Sequence, residues 1–405
     1  MKEAPDASTT RTRADRYMFQ TYGRFPITLV RGEGCRVWDD EGNPYLDFVA
    51  GIAVCSLGHS SPVVSSALAE QAQKLVHVSN LYYTEPQTDL AQLLVENSFA
   101  DRVFFCNSGA EANEAAIKLA RRYSMEKFGP NRHVIISMRN SFHGRTMATL
   151  SATGQEKIQV GYDPLLQGFR FVSFNDMEAL EAAMGEDVCA VMMEPIQGEG
   201  GVVCPDPDYL KQVRALCSEK GVALIFDEVQ VGMGRTGKLF AHEHYGIIPD
   251  IMSLAKALGN GLPIGAMLST DELAQAFGPG SHATTFGGTP LATAVSKAVL
   301  NSLLNDGWVA NAQKMGDYLK TGLNKLAKKY NFIKDVRGLG LIIGVGLDVP
   351  GAPVVEACRQ KGILIICAQE RVLRFVPPLI VGKEEIDLLL EALDNIFNDM
   401  ETKRG

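Results

Sequence analysis

Val222-Ala223-Leu224-Ile225-Phe226-Asp227-Glu228-Val229-Gln230 reads as a short apolar strand that ends in a carboxylate. Five apolar positions in a row, with no polar residue left for solvent, predict a strand covered on both faces, as in a parallel sheet flanked by helices. An aspartate at the end of such a strand costs on the order of several kcal/mol unless it is paired or hydrogen-bonded. A cationic partner would satisfy Asp227, and so would a capping role for the segment that follows; the residues alone leave both open.

Similar runs recur on either side: Arg102-Val103-Phe104-Phe105-Cys106, His133-Val134-Ile135-Ile136-Ser137, Phe169-Arg170-Phe171-Val172 and Cys189-Ala190-Val191-Met192-Met193. Each is followed by a helical pattern. The alternation predicts an α/β fold with a large, mostly parallel-sheet domain over residues 56–300. Residues 1–55 hold two strand-like runs, Val30 to Trp38 and Pro44 to Phe48, separated by the turn Asp39-Asp40-Glu41-Gly42-Asn43. They predict an antiparallel element belonging to a smaller domain. Residues 301–405 predict the rest of that α+β domain. A helical pattern runs from Pro290 through Ala312 to Tyr330, strands follow at 340–345, 363–366 and 372–376, and an amphipathic helix closes the chain from Lys383 to Met400. The polar stretch from Met1 to Asp15 predicts no fixed structure.

The chain has 405 residues, 46% hydrophobic and 21% charged, enough to bury two ordinary cores. A net charge of −8 argues against nucleic acid or an anionic membrane as the main partner, because both need a basic surface. The eight cysteines include no C-x-x-C pair, so neither a zinc site nor a disulfide scaffold is indicated. No run approaches the roughly 18 apolar residues of a membrane span, and the expected location is the cytoplasm. His242 and His244 form an H-x-H pair without a nearby carboxylate or cysteine cluster, and are expected to pack rather than bind metal.

Ligands of open parallel sheets bind outside the carboxyl ends of the strands, so the residues after each apolar run carry the chemistry. After Cys106 comes Asn107-Ser108-Gly109-Ala110-Glu111-Ala112-Asn113-Glu114, a small-residue helix start whose free N–H groups suit a phosphate. An ordinary serine N-cap is the alternative. After Ser137 comes Phe142-His143-Gly144-Arg145-Thr146, where Phe142 could stack on a planar ring or simply join the core, and Arg145 could bind a carboxylate. Met193 leads into Glu194-Pro195-Ile196-Gln197-Gly198-Glu199-Gly200-Gly201. A lysine, Lys256, sits in Ala255-Lys256-Ala257-Leu258-Gly259-Asn260-Gly261. Its glycines lack the spacing of a dinucleotide fingerprint. A loop lysine together with a carboxylate ending a buried strand suits pyridoxal phosphate, which needs an amine for its aldehyde and an acid for its ring nitrogen.

Together with Asp227-Glu228-Val229-Gln230-x-Gly232-x-Gly234-Arg235-Thr236-Gly237, these motifs resemble the class III pyridoxal-phosphate aminotransferases, from about Tyr22 to the last helix. The resemblance implies a fold type I PLP-dependent transferase with pyridoxal 5'-phosphate as cofactor and no metal. It implies Lys256 as the lysine that bonds the cofactor and moves the proton, and Asp227 as the partner of the pyridine nitrogen. Gln230 is implied at the ring 3-oxygen, Ser108, Gly109 and Ala110 at the phosphate, and Phe142 on one ring face. Thr285, in Thr284-Thr285-Phe286-Gly287-Gly288, matches a threonine that reaches the phosphate of a neighbouring subunit, which implies a homodimer.

For the substrates, the resemblance implies Arg374 at the α-carboxylate, Arg145 and Thr284 at an acetylated amino acid, and Glu199 as a carboxylate that pairs with Arg374 and swings aside. N-acetylornithine as donor and 2-oxoglutarate as acceptor are the implied substrates. Ornithine, succinylornithine, N-succinyl-diaminopimelate and 4-aminobutyrate are alternative donors, and a glutamate-semialdehyde aminomutase is the alternative reaction. The chain departs from the family pattern at Thr289 and at Asn260.

Overall fold

The computed structural model describes residues 9–402. Its centre is a seven-stranded sheet made of β4 (Arg102–Cys106), β5 (Val134–Met138), β6 (Phe169–Val172), β7 (Val188–Met193), β8 (Ala223–Asp227), β9 (Ile251–Leu254) and β10 (Gly265–Ser269), in the order β4-β10-β9-β8-β7-β5-β6. Before these in the chain come β1 (Leu29–Glu33), β2 (Arg36–Asp39) and β3 (Pro44–Asp47). β5 to β9 run parallel, and β10 lies antiparallel to both of its neighbours. Every residue of β7 and β8 is buried, as their uninterrupted apolar sequences require of strands covered on both faces.

The sequence reading found β4 to β8 and missed β9 and β10. Ile251-Met252-Ser253-Leu254 is short, and Gly265-Ala266-Met267-Leu268-Ser269 has no β-branched residue, so neither carries a strand signal of its own. Both are held by pairing: Ala266 to Ser269 face β9 on one side and Phe105 to Arg102 on the other. The single reversed strand, β10, fits the expectation of a mostly parallel sheet.

Two smaller sheets flank this one. The first has the order β1-β2-β3-β13, where β13 (Ile363–Leu364) pairs parallel with β3. The second is antiparallel, with β11 (Ile333–Leu339), β12 (Ile342–Leu347), β14 (Ile366–Ala368) and β15 (Val372–Phe375) in the order β11-β12-β15-β14. The run Val30 to Trp38, expected as one strand, is a hairpin of β1 and β2. The helix expected from Pro290 to Tyr330 is two, Pro290–Asn305 and Trp308–Lys329, separated at Gly307, whose φ of 80° a continuing helix does not allow. Within the stretch expected to lack structure, Thr10–Tyr17 forms a helix whose cap is Thr9, through reciprocal bonds with Thr12. Residues 1–8 lie outside the described residues.

Arg235 ties the second small sheet to the centre. Its side chain is fully buried, with Nη1 donating to the carbonyls of Leu341 and Pro377 and Nη2 to Ser56 Oγ. No helix among the described residues is long and apolar enough to cross a membrane.

Candidate active site

β4, β5, β7 and β8 end in Cys106, Met138, Met193 and Asp227, so the polar motifs that follow them emerge at one edge of the central sheet. Between them lies a cavity of about 430 Å³. It brings together Ser108, Gly109, Ala110, Phe142, Arg145, Asp227, Gln230 and Lys256 from four separate stretches of chain.

Lys256 opens a single helical turn, Lys256–Leu258, just past β9 and has a φ of 45°. A left-handed lysine is strained, and such strain persists where surrounding contacts over-determine the backbone. Asn260, at a φ of 44°, supplies one such contact: its Oδ1 accepts from Leu57 N at 2.7 Å and its Nδ2 donates to Gly58 O. Asparagine tolerates that conformation, which accounts for its place where the family pattern has glycine. Enclosure pushes the Lys256 amine below its ordinary value; nearby Glu199 opposes the drop and Arg374 adds to it.

Asp227 is 4% exposed. Its Oδ2 accepts from Asn113 Nδ2 at 2.7 Å and lies 2.8 Å from His143 Nδ1, while Oδ1 accepts from Val229 N at 3.0 Å. The capping role and the buried-partner role are therefore both present in one carboxylate. Asn113 Nδ2 also holds the His143 carbonyl at 2.8 Å. His143 Nε2 and Asn113 Oδ1 are buried without a hydrogen-bond partner. Glu194, beside this group, accepts from Phe142 N and Gly198 N at 3.1 Å each. Burial pushes its carboxyl up to about 7, Asp227 adds to the rise, and His143 opposes it.

Ser108 is the N-cap of the helix Gly109–Phe128, with Oγ accepting from Glu111 N at 3.2 Å, so the ordinary capping reading holds for its side chain. Asn113 stands one turn along that helix from Gly109, on the same face. A Cβ on Gly109 would come within 2.8 Å of Val229 Cγ1; the helix start therefore approaches the strand end closely only because this residue is glycine.

One hydrogen bond beyond Gln230 lies Arg374, on β15 and 2% exposed. Its Nη1 donates to Glu199 Oε1 at 2.7 Å and to Gln230 Oε1 at 3.2 Å. Burial works against the charge on Glu199, but Arg374, with help from Lys256 and Gln230, holds the carboxyl below its usual range. Thr284 Oγ1 accepts from Asn107 Nδ2 at 3.1 Å, which sets Thr284 beside the loop before Ser108. Thr285 is exposed and does not line the cavity.

The sequence reading gave no role to Asn113, His143 or Val229, although all three lie in motifs it quoted. Asn113 could have been found from its helical spacing to Gly109; nothing local marks His143 as a partner of Asp227. His242 is buried, with Nδ1 3.1 Å from Glu228 Oε1, in a packing role.

The aminotransferase class-III family profile matches residues 17–397. The chain is 54% identical over 386 residues to the acetylornithine aminotransferase of Caldanaerobacter subterraneus subsp. tengcongensis, covering 95% of this chain and 98% of that protein. It is 53% identical over 388 residues to the acetylornithine aminotransferase of Methanocaldococcus jannaschii, covering 95% and 97%. Among solved structures, ornithine aminotransferase from Toxoplasma gondii ME49 superposes with a TM-score of 0.94 at 35% identity, over 97% of this chain and 95% of that one. N-acetylornithine aminotransferase from Stenotrophomonas maltophilia K279a gives 0.84 at 40% identity, over 97% and 99%. With a sheet edge that gathers Lys256, Asp227 and Arg374 and a family match over nearly its whole length, this chain belongs to the class III aminotransferases, enzymes of the α/β fold type I that depend on pyridoxal phosphate.

Proposed function

We propose that this enzyme transfers the terminal amino group of N2-acetyl-L-ornithine to 2-oxoglutarate, giving N-acetyl-L-glutamate 5-semialdehyde and L-glutamate. The observation that carries the reading is the Arg374–Glu199 ion pair at 2.7 Å, next to the cavity of Lys256. A buried arginine needs an anion. Glu199 supplies it while a donor reacts at its distal amine, and the acceptor's α-carboxylate supplies it once Glu199 moves aside. The names of the similar proteins support acetylornithine as the donor.

The residues present fit pyridoxal phosphate: an enclosed amine with a lowered pKa, a buried carboxylate held by two side-chain donors, a glycine-floored helix start and an aromatic wall at Phe142. When bound, the cofactor supplies a reactive aldehyde and an electron-accepting ring. Asp227 would face the ring nitrogen and Gln230 the ring 3-oxygen. Ser108, Gly109 and Ala110 would take the phosphate at the helix N-terminus. Lys256 Nζ would hold the cofactor through its aldehyde and, when free, would serve as the general base that takes the proton from the donor's terminal carbon. Arg145 and Thr284 would orient the acetylated end.

A homodimer belongs to the reading, with Thr285 completing the phosphate site of the partner subunit. Leu81, Tyr82 and Tyr83 are 82%, 68% and 98% exposed, and Phe286 is 61% exposed. Asn80 joins the two stretches by donating to the carbonyls of Thr284 and Gly287. An apolar surface of this kind marks a protein contact.

Free ornithine is the second reading, favoured by the superposition on ornithine aminotransferase. Steady-state kinetics with N-acetylornithine, ornithine, 4-aminobutyrate and N-succinyl-diaminopimelate as donors to 2-oxoglutarate separates the two. The highest kcat/KM is expected for N-acetylornithine; a higher value for free ornithine assigns the second reading.

A further inference from the structure

We propose that the protein carries a second anion site, for a small carboxylate, in a cavity distinct from that of Lys256 and braced against the loop that bears Glu199. The cavity measures about 410 Å³ and shares no lining residue with the first. Arg139 and Lys157 line it, and both are exposed. Neither side chain has a hydrogen bond or ion pair with a described residue, and the same holds for the one carboxylate in the lining, Glu156.

Unpaired surface cations are ordinary; the backbone that presents these two is not. Asn140 has a φ of 63° and Gln369 a φ of 48°, and both line the cavity. The segment carrying Lys157 is pressed onto the end of β5: a Cβ on Gly154 would lie 2.1 Å from Met138 O, and Asn140 N donates to Gly154 O at 2.7 Å. The backbone segments that carry Arg139 and Lys157 are thus fixed against each other on one wall of the cavity.

The same residues grip the Glu199 loop. Gln369 Nε2 donates to Glu199 O at 3.2 Å, Gln197 Nε2 donates to Arg139 O at 2.9 Å, and a Cβ on Gly200 would meet Asn140 O at 2.9 Å. A ligand bridging Arg139 and Lys157 stiffens the wall to which that loop is anchored. A guanidinium accepts a carboxylate or a phosphate in a two-pronged fit. Arg139 and Lys157 offer two separate cations, which suit a small dicarboxylate whose charges lie apart better than a phosphate that concentrates its charge on one centre.

The test uses the full-length holoenzyme, with succinate as the probe and calorimetry as the readout. R374Q removes one carboxylate partner of the first cavity, so binding that survives in R374Q and is lost on adding R139Q/K157Q reports the second. Succinate is expected to bind R374Q, and to bind R374Q/R139Q/K157Q at least about tenfold more weakly, the loss of charge-assisted hydrogen bonds. R139Q/K157Q alone is expected to keep the basal kcat, which also shows that it folds. Amide hydrogen exchange at Gly198 to Gly201 is expected to slow when succinate is added to R374Q. The proposal is overturned if R374Q binds no succinate, if the triple variant binds as R374Q does, if inorganic phosphate binds more tightly than succinate, or if exchange in that loop does not change.

Discussion

Arg374 Nη1 and Glu199 Oε1 stand 2.7 Å apart, and Gln230 links this pair to the cavity that holds Lys256. The arginine comes from β15 of the C-terminal sheet and the glutamate from the loop after β7 of the central sheet, so the pair spans two layers of the fold.

Replacing Glu199 with Gln leaves Arg374 buried without its counter-charge, a situation that costs about 3–5 kcal/mol when nothing compensates. The half-reaction with N-acetylornithine is expected to slow by about tenfold or more, while the half-reaction with glutamate, whose α-carboxylate replaces Glu199, changes far less. Stopped-flow measurement of each half-reaction decides it; equal losses in both would refute the switch.

Lys256→Ala removes the proposed general base, and kcat is expected to fall by at least about 10⁴-fold. The cofactor should still co-purify through the helix start at Gly109 and the carboxylate of Asp227, which absorbance after gel filtration reads directly. Turnover at the wild-type rate would remove Lys256 from the mechanism.

The pair of His59 Nε2 and Asp47 Oδ2, 2.7 Å apart, makes stability depend on alkaline pH. The hydrogen bond to Asp47, with a smaller contribution from Cys55, pushes the His59 imidazole up to about 10. A folded-state value above the unfolded one gives stability that is full below about pH 6.5 and is lost as pH rises through about 10. Urea titrations of wild type and H59Q should therefore diverge most near neutral and acidic pH and converge in strong alkali. A gap that widens with rising pH would contradict the assignment.

Arg235→Met keeps the bulk of the side chain but leaves the Leu341 and Pro377 carbonyls and Ser56 Oγ without their donor. Unsatisfied buried acceptors cost about 1–3 kcal/mol each, so a loss of at least about 2 kcal/mol in chemical denaturation is expected. Retention of full stability would show that solvent reaches these groups.

Thr285→Ala is expected to weaken cofactor binding by about tenfold, the contribution of one hydrogen bond to a charged group, although Thr285 lies outside its own chain's cavity. Sedimentation of both forms as dimers with unequal cofactor affinity supports the shared site; a monomeric wild type eliminates it.

Much of this was legible in the residues. The runs of β4 to β8 announced themselves as short apolar stretches, most plainly in β7 and β8, which are buried throughout, and the motifs after them identified the reactive edge. β9 and β10 escaped because their pairing, not their composition, makes them strands. The two helices around Gly307 merged in the reading because the apolar period continues across the break, and only the glycine's backbone stops it.

The sequence by itself determined the α/β class and the family, and singled out the lysine and the aspartate that line one cavity, since each is written in local pattern and order along the chain. Tertiary structure alone decided which side chains share an atom. His143 and Asn113 converge on Asp227 Oδ2 from residues 84 and 114 positions away, and Glu199 meets Arg374 across 175. Such contacts depend on how layers pack and not on spacing within any one segment, so no periodicity in the sequence reports them.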